Sequence, residues 1–286
     1  MVKDGPGGYA ITAQPHSRDL LAAPRRPRAI GFVRVASKLR GATSVIADLR
    51  MSGALKALFP QGRGLEAILM NSAGGITGGD RLTASATAGE GTTLTITTQA
   101  AERAYRAAAG TGRVTTTLEV QDGALLQWLP QEMILFDGCA LDRELKIEMA
   151  REARLLMVEP MVFGRTAMGE TLSIGMVRDT INITRNGMPD YLDRIHFSGP
   201  IASQLERSAV AQGARAMASL VYIAPDAPNQ IEGVRQNLPK WGGASLRAAD
   251  TLVVRLIASD SFELRRALLP ILDRLSRNTL PTSWRL

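Results

Sequence analysis

Two histidines, one cysteine and a glycine run that closes on an aspartate are the parts of this chain most suited to chemistry. His196 stands in the strand-like segment Arg194-Ile195-His196-Phe197, and His16 lies close to the N-terminus. A Ser-His-Asp or Cys-His arrangement in the body of the chain would rest on His196 alone, and no G-x-S-x-G turn presents a serine. A structural zinc site takes four nitrogen or sulfur ligands at local spacing, a set that His196 and Cys139 do not fill. No pair of carboxylates is fixed at the separation that two-acid hydrolysis needs. The residues describe a chain without a self-sufficient catalytic site, one that acts by binding partners rather than as an enzyme.

The glycine run reads Gly74-Gly75-Ile76-Thr77-Gly78-Gly79-Asp80. It ends without Lys-Ser/Thr, so it is no phosphate-binding P-loop, and it lacks the G-x-G-x-x-G order of a dinucleotide site. A flexible β-connection would account for glycine here. Four glycines in six residues followed by an acid do more than a turn requires. They permit close backbone approach and leave Asp80 as the charged group beside it.

The elements that must hold these residues are mostly strands. Thr92–Thr98, Val114–Val120, Glu144–Met149 and Thr180–Thr184 alternate with period two and are rich in β-branched residues, a strand signature. Gly89-Glu90-Gly91, Gly110-Thr111-Gly112, Asp122-Gly123, Asp137-Gly138 and Asn186-Gly187 separate them as turns. Strands without intervening helices argue for antiparallel pairing rather than βαβ units. The expected fold is mainly β, with elongated stacked antiparallel or mixed sheets and two helices in the C-terminal half. One helix starts at Asp226 and runs to about Leu238. The other starts with the Asp260–Glu263 capping box and carries a Leu264, Leu268, Ile271, Leu275 stripe, with Pro270 kinking or shortening it. Thr251–Ile257 reads as a buried strand between them.

The 286 residues, 45% of them hydrophobic, suffice for a sizeable core. Residues 1–28, rich in Gly, Pro and Arg, read as a flexible arm, and 29–286 as a single β-rich domain. No secretory h-region or membrane span is legible. A single cysteine forms no intramolecular disulfide, which fits a reducing, cytoplasmic setting. The net charge of +7 permits nucleic-acid binding, but acids and bases alternate through Arg143, Glu144, Lys146 and Glu148 as on a solvated face. Only 13 aromatics are present, without the basic-aromatic pattern of base-stacking sheets. An acidic protein is the more economical partner for such a surface.

Asn71-Ser72-Ala73 followed by the glycine run and Asp80 resembles the glycine-rich signature of the urease accessory protein UreD (UreH) family. Five further blocks follow in family order: Thr97–Arg106, Trp128–Gly138, Gly164–Glu170, Gly242–Leu246 and Leu280–Trp284. The family usually opens the glycine block with His-Pro-Pro, where this chain has Asn71-Ser72-Ala73. A metal role for that histidine is thereby absent, and the loss of two prolines leaves the segment less rigid.

The resemblance implies a non-catalytic scaffold of elongated, mainly β fold. Such a scaffold joins UreF and the GTPase UreG in a two-fold accessory complex, docks on apo-urease and delivers nickel to it. No cofactor is expected to bind tightly, and Ni2+ would pass transiently. With so few His and Cys side chains, a tight nickel site is not expected, whereas a hydrated path of carboxylates suits transit. The carboxylates at or beside the family's motifs are Asp80, Glu159, Glu170 and Asp193, with Arg165 and Arg194 as nearby candidates for pairing. Glu159 ends the apolar run Leu155–Val158, where an unpaired acid is costly if buried. Gly74, Gly75, Gly78, Gly79, Glu132 and Arg165 are expected to serve structure, with Glu132 orienting the turn at Pro130 through backbone hydrogen bonds. The competing reading is a basic β-rich module that binds nucleic acid or an acidic protein and has no metal role.

Overall fold

The computed structural model describes residue 1 and residues 27–62, 64–165 and 168–285; the expected N-terminal arm, with His16, falls almost wholly outside them. In chain order the strands are β1 (Ile30–Arg40), β2 (Thr43–Gly53), β3 (Leu55–Leu58), β4 (Leu65–Asn71), β5 (Arg81–Ala88) and β6 (Thr93–Thr98). They continue with β7 (Glu102–Ala104), β8 (Gly112–Val120), β9 (Leu125–Leu129), β10 (Met133–Leu135), β11 (Ala140–Met149) and β12 (Arg154–Phe163). The last are β13 (Gly175–Arg185), β14 (Met188–Gly199), β15 (Ala216–Ile223), β16 (Trp241–Ala248) and β17 (Thr251–Ala258). Three helices are α1 (Ile201–Glu206), α2 (Ala227–Arg235) and α3 (Ser261–Leu275).

One sheet has the order β14-β13-β11-β8-β5-β1-β2. The other runs β16-β17-β15-β12-β9-β6-β4-β3, with β10 and β7 attached beside β12. From β4 to β13 the chain passes back and forth between the sheets, so each turn adds one strand to each. The fold is mainly β with mixed sheets, as expected. The finer expectation of antiparallel pairing holds at the flanks, in β1–β2, β13–β14, β12–β15, β15–β17, β16–β17 and β3–β4. It fails in the middle, where β5, β8, β11 and β13 pair in parallel, as do β4, β6, β9 and β12. Parallel strands need a crossover. Here a strand of the opposite sheet makes it, so the absence of helices did not exclude parallel ladders.

Side-chain alternation fills two cores. Leu155, Met157, Met161 and Phe163 of β12 point between the sheets, and Leu156, Val158 and Val162 point toward α2 and α3. Both faces of β12 are covered, which is why its sequence reads as a continuous apolar run rather than an alternating one. Glu159 falls in phase with Met157 and Met161 and so enters the space between the sheets.

Asp260 caps α3 by accepting from the Glu263 amide at 2.9 Å, and Leu264, Leu268, Ile271 and Leu275 are buried together with Leu272. The helix continues past Pro270 to Leu275, so the proline does not shorten it. The other expected helix is present but ends at Arg235, and Asp226 makes no side-chain cap bond. Asp226 instead accepts from the Tyr222 hydroxyl at 2.7 Å and the Gln230 amide at 3.0 Å. The sequence reading missed α1, whose six residues are too few to show a helical period.

Candidate functional site

The glycine run forms a pinned loop rather than a slack one. The Asn71 side-chain amide donates to Gly75 O and to Glu102 Oε2, both at 3.0 Å, and its oxygen accepts from the Ala73 amide at 3.0 Å. These bonds restrain the loop at Asn71-Ser72-Ala73. Gly75 has φ +152° and lies against the Tyr105 ring, where a Cβ would collide. A Cβ on Gly78 would strike the Ala109 and Gly110 carbonyls. Asp80 closes the loop from within. Its Oδ1 accepts from the Ala29 amide and its Oδ2 from the Thr77 amide, each at 2.8 Å, and the residue is only 4% exposed. Both oxygens are thus committed to backbone, and Asp80 does not line the cavity described next. Asp80→Ala is expected to lower stability by about 1–3 kcal/mol, because it strands two amide donors. Chemical denaturation checks this, and a loss under about 0.5 kcal/mol, a surface-like value, would mean that the carboxylate is idle.

A cavity of about 270 Å³ lies between the sheets. Leu82, Thr116 and Arg143 line it from one sheet and Leu69, Trp128 and Glu159 from the other. It reaches solvent beside Gly74 and the segment Thr98–Glu102. At its inner end three charged side chains meet. Arg143 Nε and Nη2 donate to the two Asp179 oxygens at 2.8 and 2.7 Å. Arg143 Nη1 lies 2.5 Å from Glu159 Oε2, an ion contact off the hydrogen-bond direction. Trp128 Nε1 donates to Glu159 Oε1 at 2.7 Å. The strands set this geometry: Arg143 and Asp179 are register partners on β11 and β13, while Glu159 reaches across from β12.

With both carboxylates ionised, they and the one guanidinium carry one net negative charge in a site that is 5–9% exposed at each side chain. Burial lifts Glu159 above the usual carboxylate range; Arg143 pulls it back, Asp179 pushes it further up, and the Trp128 hydrogen bond lowers it. Burial opposes the Arg143 charge, but Asp179 and then Glu159 outweigh it and hold its proton more tightly than usual. Nearer the mouth, burial also raises Glu102, against the Arg103 amide and the Asn71 side chain, which lower it.

The four expected carboxylates do not form one set. Asp193 accepts from Ser219 Oγ at 3.0 Å and pairs with Arg255. Ser219 is the cross-strand neighbour of Glu159, and Asp193 reaches it from the facing sheet. Glu170 is elsewhere: it pairs with Arg165 and accepts from the Asp137 amide at 2.8 Å, with the Arg165 guanidinium 4.4 Å from the Phe136 ring centre. The Glu132 carboxylate does not serve the Pro130 turn. It meets Arg265 Nη1 at 3.1 Å, and Arg265 Nη2 donates to Trp284 O at 2.7 Å, tying α3 and the closing segment to β9 and β10. Arg194 meets no carboxylate among the described residues. Cys139 is buried, and burial pushes its thiol up to about 12, which keeps it protonated. His196 is exposed. Among the described residues no three His, Cys, Asp or Glu side chains cluster to hold a metal ion, and no helix is long and apolar enough to cross a membrane. The sequence reading placed Arg143 on a solvated face and passed over Asp179 and Glu102.

The family model described as UreD urease accessory protein matches residues 29–285. A urease accessory protein UreD of Roseobacter denitrificans is 51% identical over 263 residues, covering 91% of this chain and 96% of the relative. One of Ruegeria pomeroyi is 51% identical over 251 residues, covering 87% and 98%. One of Rhizobium etli is 41% identical over 271 residues, covering 93% and 99%.

Proposed function

The chain belongs to the UreD urease accessory protein family, which supports a role in urease maturation, and we propose that within it the chain is a non-catalytic, cytoplasmic scaffold that joins UreF and UreG on apo-urease and gives nickel a hydrated passage to it. One observation carries the passage: Glu159 brings a carboxylate to the inner end of a cavity that opens beside Gly74 and Glu102. The cavity volume of about 270 Å³ has room for several waters. A divalent cation is attracted to a carboxylate wherever water is thin. Asp179 takes the Arg143 fork with both oxygens, and Glu159 has Trp128 on Oε1 and the Arg143 contact on Oε2, which leaves each of its oxygens a further lone pair for a passing ion. Transit requires contacts weak enough to break, and a carboxylate already shared with Trp128 and Arg143 holds a passing ion only weakly. Asp193, bonded by Ser219 and paired with Arg255, does not line this cavity. Asp80 and Glu170, held by backbone amides and Arg165, serve the framework of the loops.

The assembly is tested by mixing the purified chain with UreF, UreG and apo-urease and measuring complexes by size-exclusion chromatography with light scattering. A complex that contains UreF and retains apo-urease is expected. A chain that ignores all three proteins and is held by nucleic acid in a salt-sensitive way would replace this reading with the basic-module one.

A further inference from the structure

The two sheets do not end together. The seven-stranded sheet stops at β14, whose outer edge has no partner strand among the described residues, while the ten-stranded sheet continues through β17 to β16. Asp193 of β14 reaches Ser219 of β15 and Arg255 of β17, so β14 lies over those strands and β16 extends beyond it. The inner face beyond β14 holds a groove of about 330 Å³ floored by Met217, Arg255 and Ile257 and walled by Phe163, Phe197 and the segment 205–214 at the end of α1 and beyond it. Register carries this face onto β16, where Trp241 pairs with Ile257 and Gly243 with Arg255, because cross-strand partners project to the same side.

The two adjacent glycines of β16 differ in what accounts for them. A Cβ on Gly242 would press on Pro239 Cδ at 2.9 Å. A Cβ on Gly243 would meet nothing within 4 Å, and Gly243 has no left-handed φ. Glycine weakens a strand and often marks the close approach of another backbone, and no backbone approaches Gly243 within the described chain. Trp241 beside it is 39% exposed, with Lys240 5.4 Å from its ring.

We propose that this gap is the docking site for an extended acidic segment of a partner protein, which adds a strand to the free edge of β14 and passes over Gly243. Its apolar side chains would alternate inward over Met217, Ile257 and Trp241. Its carboxylates would alternate outward toward Arg194 and His196, which lie on the exposed face of β14. Charge selects an acidic occupant. Arg194 and Lys240 have no carboxylate partner among the described residues, while Asp190 and Asp193 are taken by Arg247 and Arg255. The chain's own first residues suit the gap poorly, since Lys3, Arg18, Arg25, Arg26 and Arg28 outnumber Asp4 and Asp19. Strand addition with side-chain alternation is an established mode of peptide recognition, and an open strand edge is its template.

The test uses the full chain and a labelled peptide of about seven residues alternating Val and Glu, with a Val/Lys peptide and a single-stranded oligonucleotide as comparators. The Val/Glu peptide is expected to bind and to slow exchange of the Tyr191–Phe197 amides that point away from β13. Gly243→Gln should weaken that binding by about tenfold, the loss of one well-packed interface contact, and leave the melting temperature unchanged, because space is open there. Arg194→Glu should reverse the preference between the two peptides. Equal binding of the Val/Lys peptide, preferential binding of the oligonucleotide, or indifference to Gly243→Gln would overturn the proposal. So would slow exchange, in the chain alone, of those Tyr191–Phe197 amides that point away from β13, which would mean that the chain fills its own gap.

Discussion

Arg143→Leu is expected to destabilise the fold by about 3–5 kcal/mol, the loss typical when one member of a buried ion group is removed. The leucine would fill much of the arginine's volume, so the cost is electrostatic rather than a cavity. Asp179 would lose both of its 2.7–2.8 Å bonds and Glu159 its 2.5 Å ion contact, leaving two like charges in a site almost closed to water. Glu159→Gln is the counterpart that separates charge from packing. It keeps the Arg143–Asp179 fork, cancels the net charge and leaves the new side-chain amide oxygen able to accept from Trp128, so stability should change little near neutral pH or improve. The pH dependence has a definite sign. The folded pKa of Glu159 lies above its usual value, so ionised Glu159 works against folding above that folded pKa. As pH falls through it, the native state takes up the proton more readily than the unfolded chain, and the penalty is gone below the usual carboxylate value. Wild type should therefore gain on Glu159→Gln as the solution is acidified. Urea titrations of the three proteins at several pH values measure both effects. A loss below about 1 kcal/mol in Arg143→Leu would mean that the triad is solvated and does not hold a buried charge.

The strands, the main turns and the two longer helices were legible because they depend on local pattern. Period-two alternation marks β6, β8, β11 and β13, the apolar run Thr251–Ile257 marks β17 as a buried strand, and the Asp260 cap is a three-residue signal. Strand direction was not legible, because nothing within one strand states which neighbour it meets. The chain places β5, β8 and β11 side by side only after a strand in the other sheet intervenes, a relation that no local window contains.

The site was half legible for a related reason. Glu159 drew notice because an acid after Leu155–Val158 is expensive unless partnered. Its partner was sought among Arg165 and Arg194, close to other candidate acids, yet Arg143 lies on another strand of the facing sheet. A signal for Arg143 was present all the same. It falls in phase with Leu141, Leu145 and Ile147, as Asp179 does with Val177, Ile181 and Ile183, so each charge occupies an inward position in an otherwise apolar row. The neighbouring acids and bases masked this, since charge alternation counted by sign looks solvated, whereas counted by face it shows one inward ion per strand. Asp80 was singled out correctly as the charge beside the glycine loop, but the sequence could not say that Ala29 and Thr77 amides consume both of its oxygens.

The passage of nickel is tested most directly by the nickel content of urease matured in cells that carry Glu159→Gln in place of the wild-type chain. The substitution removes one charge, keeps the side-chain shape and leaves Arg143 paired, so assembly with UreF, UreG and apo-urease should be unchanged when measured in parallel. One unit charge a few ångströms from a divalent ion is worth upward of about 1.4 kcal/mol in a partly screened interior. Nickel loading at limiting nickel should accordingly fall about tenfold, and urease activity should fall with it. Normal assembly together with fully loaded urease would contradict the account, because Glu159 would then be a structural partner of Arg143 and the cavity would carry no cation.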